Sequence, residues 1–194
     1  MSRTIATAVI LLLTTACGGG EVAPDTRPEV VKNLPPPLNC PEGVHKYGLA
    51  TDQLEQWCET NTGKITGPYK SWHLSGNKFA VGQFHFGDAH GKWLWYYDNG
   101  KQQSTRSFVS GKDKGTWTSF TEDGKPQQQG DFLDGRATGT WVVYHSNGNI
   151  ATEGRFHNGQ KNGEWNWNDP TGERTKQEVW EAGRLVASTE VEPE

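Results

Sequence analysis

Residues 138–165 read TGTWVVYHSNGNIATEGRFHNGQKNGEW, and Trp141 and Trp165 within them stand 24 residues apart, each two residues after a Gly. Extending that step in both directions gives five units, which begin at Gly67, Gly91, Gly115, Gly139 and Gly163. Two residues on come Tyr69, Trp93, Trp117, Trp141 and Trp165. Five on come Trp72, Tyr96, Phe120, Tyr144 and finally Asn168. Nine on come Gly76, Gly100, Gly124, Gly148 and Gly172; seventeen on come Phe84, Phe108, Phe132, Phe156 and Trp180; twenty on come Gly87, Gly111, Gly135, Gly159 and Gly183. Five copies without an insertion or deletion are a tandem array.

Each unit reads as a β-hairpin. The first limb is G-x-W-x-x-Y. A turn follows (LSG, DNG, EDG, SNG or PTG), in which Gly supplies the positive φ of a tight connection. The second limb ends in F-x-x-G, and G-x-x-x-G is expected to link one unit to the next. Helix is excluded, because Gly every few residues costs about 1 kcal/mol each. The expected fold is therefore all-β, a single-domain antiparallel meander of five tandem 24-residue hairpins spanning residues 67–186. Two strands per unit at ~4.8 Å predict a column of Trp about 9.6 Å apart, with the Phe rings between them. Tyr69, Trp93, Trp117, Trp141, Trp165, Phe84, Phe108, Phe132, Phe156 and Trp180 are thus the predicted core. Trp141 and Tyr144 have opposite parity along their limb. Either a bulge re-aims one of them, or both faces of the sheet carry aromatic rings.

The composition agrees with an aromatic core: only 32% of residues are hydrophobic, yet there are nine Trp, five Tyr and seven Phe. The net charge of -4 provides no basic footprint for nucleic acid. The repeat pattern resembles the MORN-repeat variant of bacterial proteins, often labelled YwqK-type antitoxins, over residues 55–186 approximately. That resemblance implies an array of β-hairpins. It implies binding or scaffolding only in general terms, and it transfers no residue-level mechanism.

The first 16 residues read as an export signal: Arg3, an apolar run from Ile5 to Leu13, then small residues up to Ala16. The stretch LLTTAC resembles a bacterial lipobox, with Thr14 where an aliphatic residue is usual. The resemblance implies a diacylglyceryl group on Cys17, hence a membrane attachment through lipid and a place in the bacterial cell envelope, with outer-membrane sorting implied by Gly18. An ordinary signal peptide with an incidental Cys is the alternative. Residues 17–39, rich in Pro and Gly, read as a tether. Cys40 and Cys58 form an even pair in an oxidising compartment, the pattern of a disulfide. They bracket an expected N-terminal cap of residues 40–66. Residues 187–194 read as an acidic tail.

No chemistry emerges from the motifs. His73 and His145, and likewise His85 and His157, recur with the period and read as surface residues three units apart. Metal-ligand, phosphate-loop and nucleophile-elbow spacings are absent from the sequence, so neither a metal, a cofactor nor a catalytic residue is expected. What remains is a non-enzymatic binding or scaffold protein for an envelope protein. The alternatives are glycan or peptidoglycan binding through exposed Trp95, Trp167 and Tyr97, and an antitoxin-like role by family label.

Overall fold

The computed structural model describes residues 33, 35–40, 44–49 and 53–191. The expected signal peptide and Cys17 lie outside the described residues. Two strands, β1 (Val44–Leu49) and β2 (Gln53–Glu59), precede the repeats. The first two units contribute β3 (Ile65–His73), β4 (Lys78–His85), β5 (Asp88–Tyr96) and β6 (Gln102–Val109). The middle unit holds β7 (Lys112–Asp113), β8 (Gly115–Phe120) and β9 (Pro126–Leu133). Then come β10 (Arg136–Tyr144), β11 (Ile150–His157), β12 (Gln160–Asn168), β13 (Arg174–Glu181) and β14 (Arg184–Glu190). All belong to one antiparallel 14-stranded sheet in chain order, with the short β7 paired only to β6. The expected all-β meander is observed.

The connections alternate between two kinds. At one side of the sheet the Gly of LSG, DNG, EDG, SNG and PTG closes the turn: Gly100 N–H, at φ 80°, donates to Tyr97 O over 2.9 Å, and Gly148 N–H donates likewise to His145 O. At the other side two residues suffice. His85 pairs with Asp88 across Phe86 (φ 47°) and Gly87 (φ 100°), both left-handed, as the right-handed twist of a hairpin favours. The G-x-x-x-G stretch is therefore not a link. It begins at that turn and runs on as strand, so that Gly91 lies inside β5 and Gly139 inside β10.

Those inner glycines make the bulge that places the Trp. Between β4 and β5 the register passes from Gln83↔His90 to Val81↔Leu94, so Gly91, Lys92 and Trp93 oppose the single residue Gly82. The same shift separates Gly154↔Trp165 from Phe156↔Lys161. The bulged strand swings its indole over the neighbouring backbone. A Cβ built on Gly82 would stand 2.1 Å from the Trp93 ring, on Gly130 2.2 Å from Trp141, and on Gly154 2.1 Å from Trp165. These glycines are seats for rings, not turn residues.

The seam that results is tighter than the expected 9.6 Å column. Ring centroids lie 5.2 Å apart for Tyr69 and Trp93 and 5.4 Å for Trp117 and Trp141, because the indoles lean along the sheet. Phe rings interleave edge-on as expected: Phe84 is 5.1 Å from Trp93, Phe132 5.3 Å from Trp141, and Phe156 5.3 Å from Trp141 and 5.0 Å from Trp165. Trp72 packs instead with Leu54 in a separate cluster. Pairing places Leu54 opposite Trp72 and Trp57 opposite Tyr69, so the two clusters occupy opposite faces. In the first unit both faces therefore carry aromatic rings, and a register shift also falls just before the fifth position, between Val143 and Tyr144 in the fourth unit.

The ends differ from the expected boundaries. Cys40 and Cys58 are joined by a disulfide with Cα atoms 5.5 Å apart. The stretch read as tether is already docked before it: Leu38 is buried, and Gln56 Nε2 donates to Pro35 O at 3.1 Å. At the other end residues 187–190 are strand rather than tail. Ala187 pairs with Val179, and Lys176 meets Glu190 at 3.7 Å, giving that carboxylate a partner.

Candidate functional site

The seam face is the obvious place to look for binding. Position four of the units, two residues beyond the Trp, forms a second row on it: Ser71, Trp95, Ser119, Val143 and Trp167. Trp95 stacks on Trp93 at 5.7 Å and meets Phe108 at 6.4 Å. Trp167 lies 6.3 Å from Trp165. Both candidate binding Trp are half-buried flanks of the core seam and not residents of a separate solvent face. Tyr97, the third candidate, spends its hydroxyl on the backbone, donating to Phe120 O at 2.7 Å.

That bond is one of a set missed by sequence reasoning. His73 Nε2 reaches Tyr96 O at 3.1 Å and His145 Nε2 reaches Asn168 O at 2.9 Å, at the position that Tyr97 fills in its own unit. Asn77 donates to Asp98 O, Asn99 to Glu122 O, Lys125 to Ser146 O and Asn147 to Pro170 O. Each turn is thereby stapled to the next. The recurrence of His73 and His145 was visible in the sequence, but their acceptors lie 23 residues away and become neighbours only in the stacked sheet. Side-chain hydroxyls also hold the turn carboxylates below their ordinary range: Ser75 on Asp98, Thr121 on Asp123, and Thr171 on Asp169, with backbone N–H groups assisting the last two.

The last unit encloses a cation. Lys161 Nζ lies 4.3 Å from the Trp165 ring centroid, 5.1 Å from Trp167 and 4.6 Å from Trp180, within reach of each quadrupole. Beside it Glu178 is buried, accepts from Trp180 Nε1 at 2.9 Å and pairs with Lys176 at 2.8 Å. Lys176 first, and then the Trp180 N–H, hold the Glu178 carboxyl below its usual range.

The middle unit departs most from its neighbours. Where Gly82, Gly130 and Gly154 seat an indole, Arg106 precedes Trp117. Its guanidinium lies 5.5 Å from the Trp117 ring and 5.9 Å from Phe132, with Asp113 at 3.5 Å. The strand equivalent to β5 is interrupted at Lys114, and β6 and β8 keep only the pairs Ser104↔Ser119 and Thr105↔Thr118. Among the described residues no group of three or more His, Cys, Asp or Glu is arranged to hold a metal ion.

The far side of the sheet, along the two-residue turns, is an apolar rim. Phe86 is 50% exposed, and Val109, Leu133, Leu185 and Val186 are exposed as well. Phe86 holds its left-handed conformation where the equivalent residues are Ser110, Asp134, Asn158 and Ala182.

No curated protein matches the chain. Residues 89–109, 114–134 and 137–158 match the family model of the MORN repeat variant. Each segment spans one hairpin, β5 with β6, β8 with β9 or β10 with β11, and the two-residue turns fall at or between the segment ends, so the sequence family and the observed hairpins coincide. Over these three segments the hairpins of the chain are similar to the MORN repeat variant.

Proposed function

We propose that this chain is a non-enzymatic binding protein of the bacterial cell envelope, held by a lipid on Cys17, which offers its repeat sheet to a protein partner. The observation that supports this most is Phe86. A bulky side chain at positive φ is disfavoured, whereas Asn or Asp tolerates it. Within the protein the exposed Phe86 ring meets the His85 ring edge-on at 4.7 Å, a small return for a bulky side chain on a strained backbone. With Val109 and Leu133 on neighbouring turns it makes a row of apolar contacts about 10 Å apart, matched to an extended or repetitive partner.

Cross-linking and affinity capture from intact envelopes, with the full-length chain and Phe86→Asn compared, tests the reading. A specific partner is expected with the native chain and is lost or much reduced with Phe86→Asn, although that variant is at least as stable. Equal recovery from both chains would remove the rim from consideration. Incorporation of labelled palmitate into the native chain but not into Cys17→Ser tests the anchor.

A second reading, glycan binding, is favoured by the polar break in the seam between Trp95 and Val143 rather than by Trp95, Trp167 and Tyr97 themselves, whose rings or hydroxyl are engaged within the protein. An antitoxin-like role has only the family label behind it.

A further inference from the structure

Position fifteen of the units reads Gly82, Arg106, Gly130, Gly154 and Glu178. Glu178 is explained by its follower: the residue in the next Trp position is Thr189, and no ring needs a seat. Arg106 has no such excuse, because Trp117 does follow it. The guanidinium occupies the neighbourhood that the backbone glycine leaves free in other units. The second row is also interrupted here, with Ser119 standing between Trp95 and Val143. Both departures fall side by side on the seam face. Together they open a cavity of about 300 Å³ walled by Tyr97, Ser104, Arg106, Trp117, Ser119 and Gln128.

Two buried polar atoms in this wall, Trp117 Nε1 and Ser119 Oγ, have no partner within the protein. Trp93 and Trp165, by contrast, donate to Gln83 O and Arg155 O at 3.1 Å. Trp141 Nε1 is unpartnered too, but it lies over Gly130 and does not line the cavity. A buried indole N–H ordinarily finds an acceptor, and a buried hydroxyl without a partner costs about 1–3 kcal/mol. The wall residues therefore hold a shielded, unpaired indole N–H and serine hydroxyl, with the Ser104 hydroxyl and the Gln128 amide beside them. Its one positive charge is matched by Asp113.

We infer that this cavity is a subsite for a neutral sugar ring. A pyranose supplies hydroxyls that donate and accept, apolar C–H groups that can lie against the Trp117 edge, and no charge to compete with Asp113. The volume is at the small end of those that hold organic ligands. The inference rests on the glycan reading above and gives it a place.

The test is a titration of the detergent-solubilised full chain with maltose, cellobiose and N,N′-diacetylchitobiose, following the Trp indole N–H resonances by NMR. A saturable shift of the Trp117 signal with at least one disaccharide is expected. Arg106→Gly restores the glycine seat; it should weaken that binding roughly tenfold or more and raise the melting temperature. Ser119→Ala, which leaves the seam alone, should weaken it several-fold as well. Saturable binding that survives both variants but is lost in Trp95→Ala or Trp167→Ala overturns this site while keeping the glycan reading. No saturable shift with any of the three sugars overturns both.

Discussion

At the scale of single residues, the fold turns on pairs made of one Gly and one Trp on adjacent strands. Gly154 and Trp165 are typical: the glycine has ordinary backbone angles, and what forbids a side chain is the indole lying on it. Gly154→Ala is expected to cost about 1–3 kcal/mol, the range for overpacking, read as a fall in urea midpoint. In a Trp165→Ala background the same change should be nearly neutral, since the ring is gone. Equal costs in both backgrounds would mean that the glycine serves the backbone alone. This relation was hidden in the sequence. The period displayed Gly and Trp together, and the natural reading assigned the glycines to sharp turns. Only the bulge tells which strand the ring crosses, and it depends on pairing between residues eleven apart. Trp95 and Trp167 raise a related point: strand alternation assigns them to the Trp93 and Trp165 face, but it does not say how far a leaning indole covers its neighbour.

At the scale of elements, the hairpin turns matter more than their exposed position suggests. They carry the staples that tie each unit to the next. Asp98, Asp123 and Asp169 each have a carboxyl held below the ordinary value of 3.8. A lowered folded-state pKa means that the contribution is present above 3.8 and is lost as pH falls through the folded value. Urea midpoints should therefore fall as the pH drops below about 4, and the slope should flatten when all three are changed to Asn. An unchanged slope would assign the acid sensitivity to other groups. Tyr97→Phe removes one staple and is expected to cost about 1 kcal/mol, with amide exchange quickening at Phe120 and Thr121 before anywhere else. The strands of the five hairpins and their order were legible from the period alone, whereas β1 and the full length of β14 were not. The turn sites were legible too, through Asn-Gly and Asp-Gly. The strand limits were not, because Gly91 and its equivalents look like breaks and act as bulges within a strand.

At the scale of the whole molecule, each strand pairs only with its neighbours in the sheet, and ring contacts and turn staples reach no further than the next unit, so stability is a sum of local terms and neighbour interfaces. Reducing the Cys40–Cys58 bridge is expected to remove about 3 kcal/mol. The loss should be felt by β1, β2 and β3 and fade along the array, leaving amide protection in β10 to β13 unchanged in hydrogen exchange. A uniform loss would show that the sheet unfolds as one unit. Lys161→Met should act at the opposite end, loosening Trp165, Trp167 and Trp180 with little change near Trp93. A tandem array also carries a hazard that a varied chain lacks. Its modules are interchangeable, and a strand that zips up one module out of phase still meets most of its contacts. The module containing Arg106 breaks the degeneracy. Paired one unit further along, that guanidinium would be forced beneath Trp141, and Asp113 would be left without a counter-charge. A shift by one module would thus cost this ion pair.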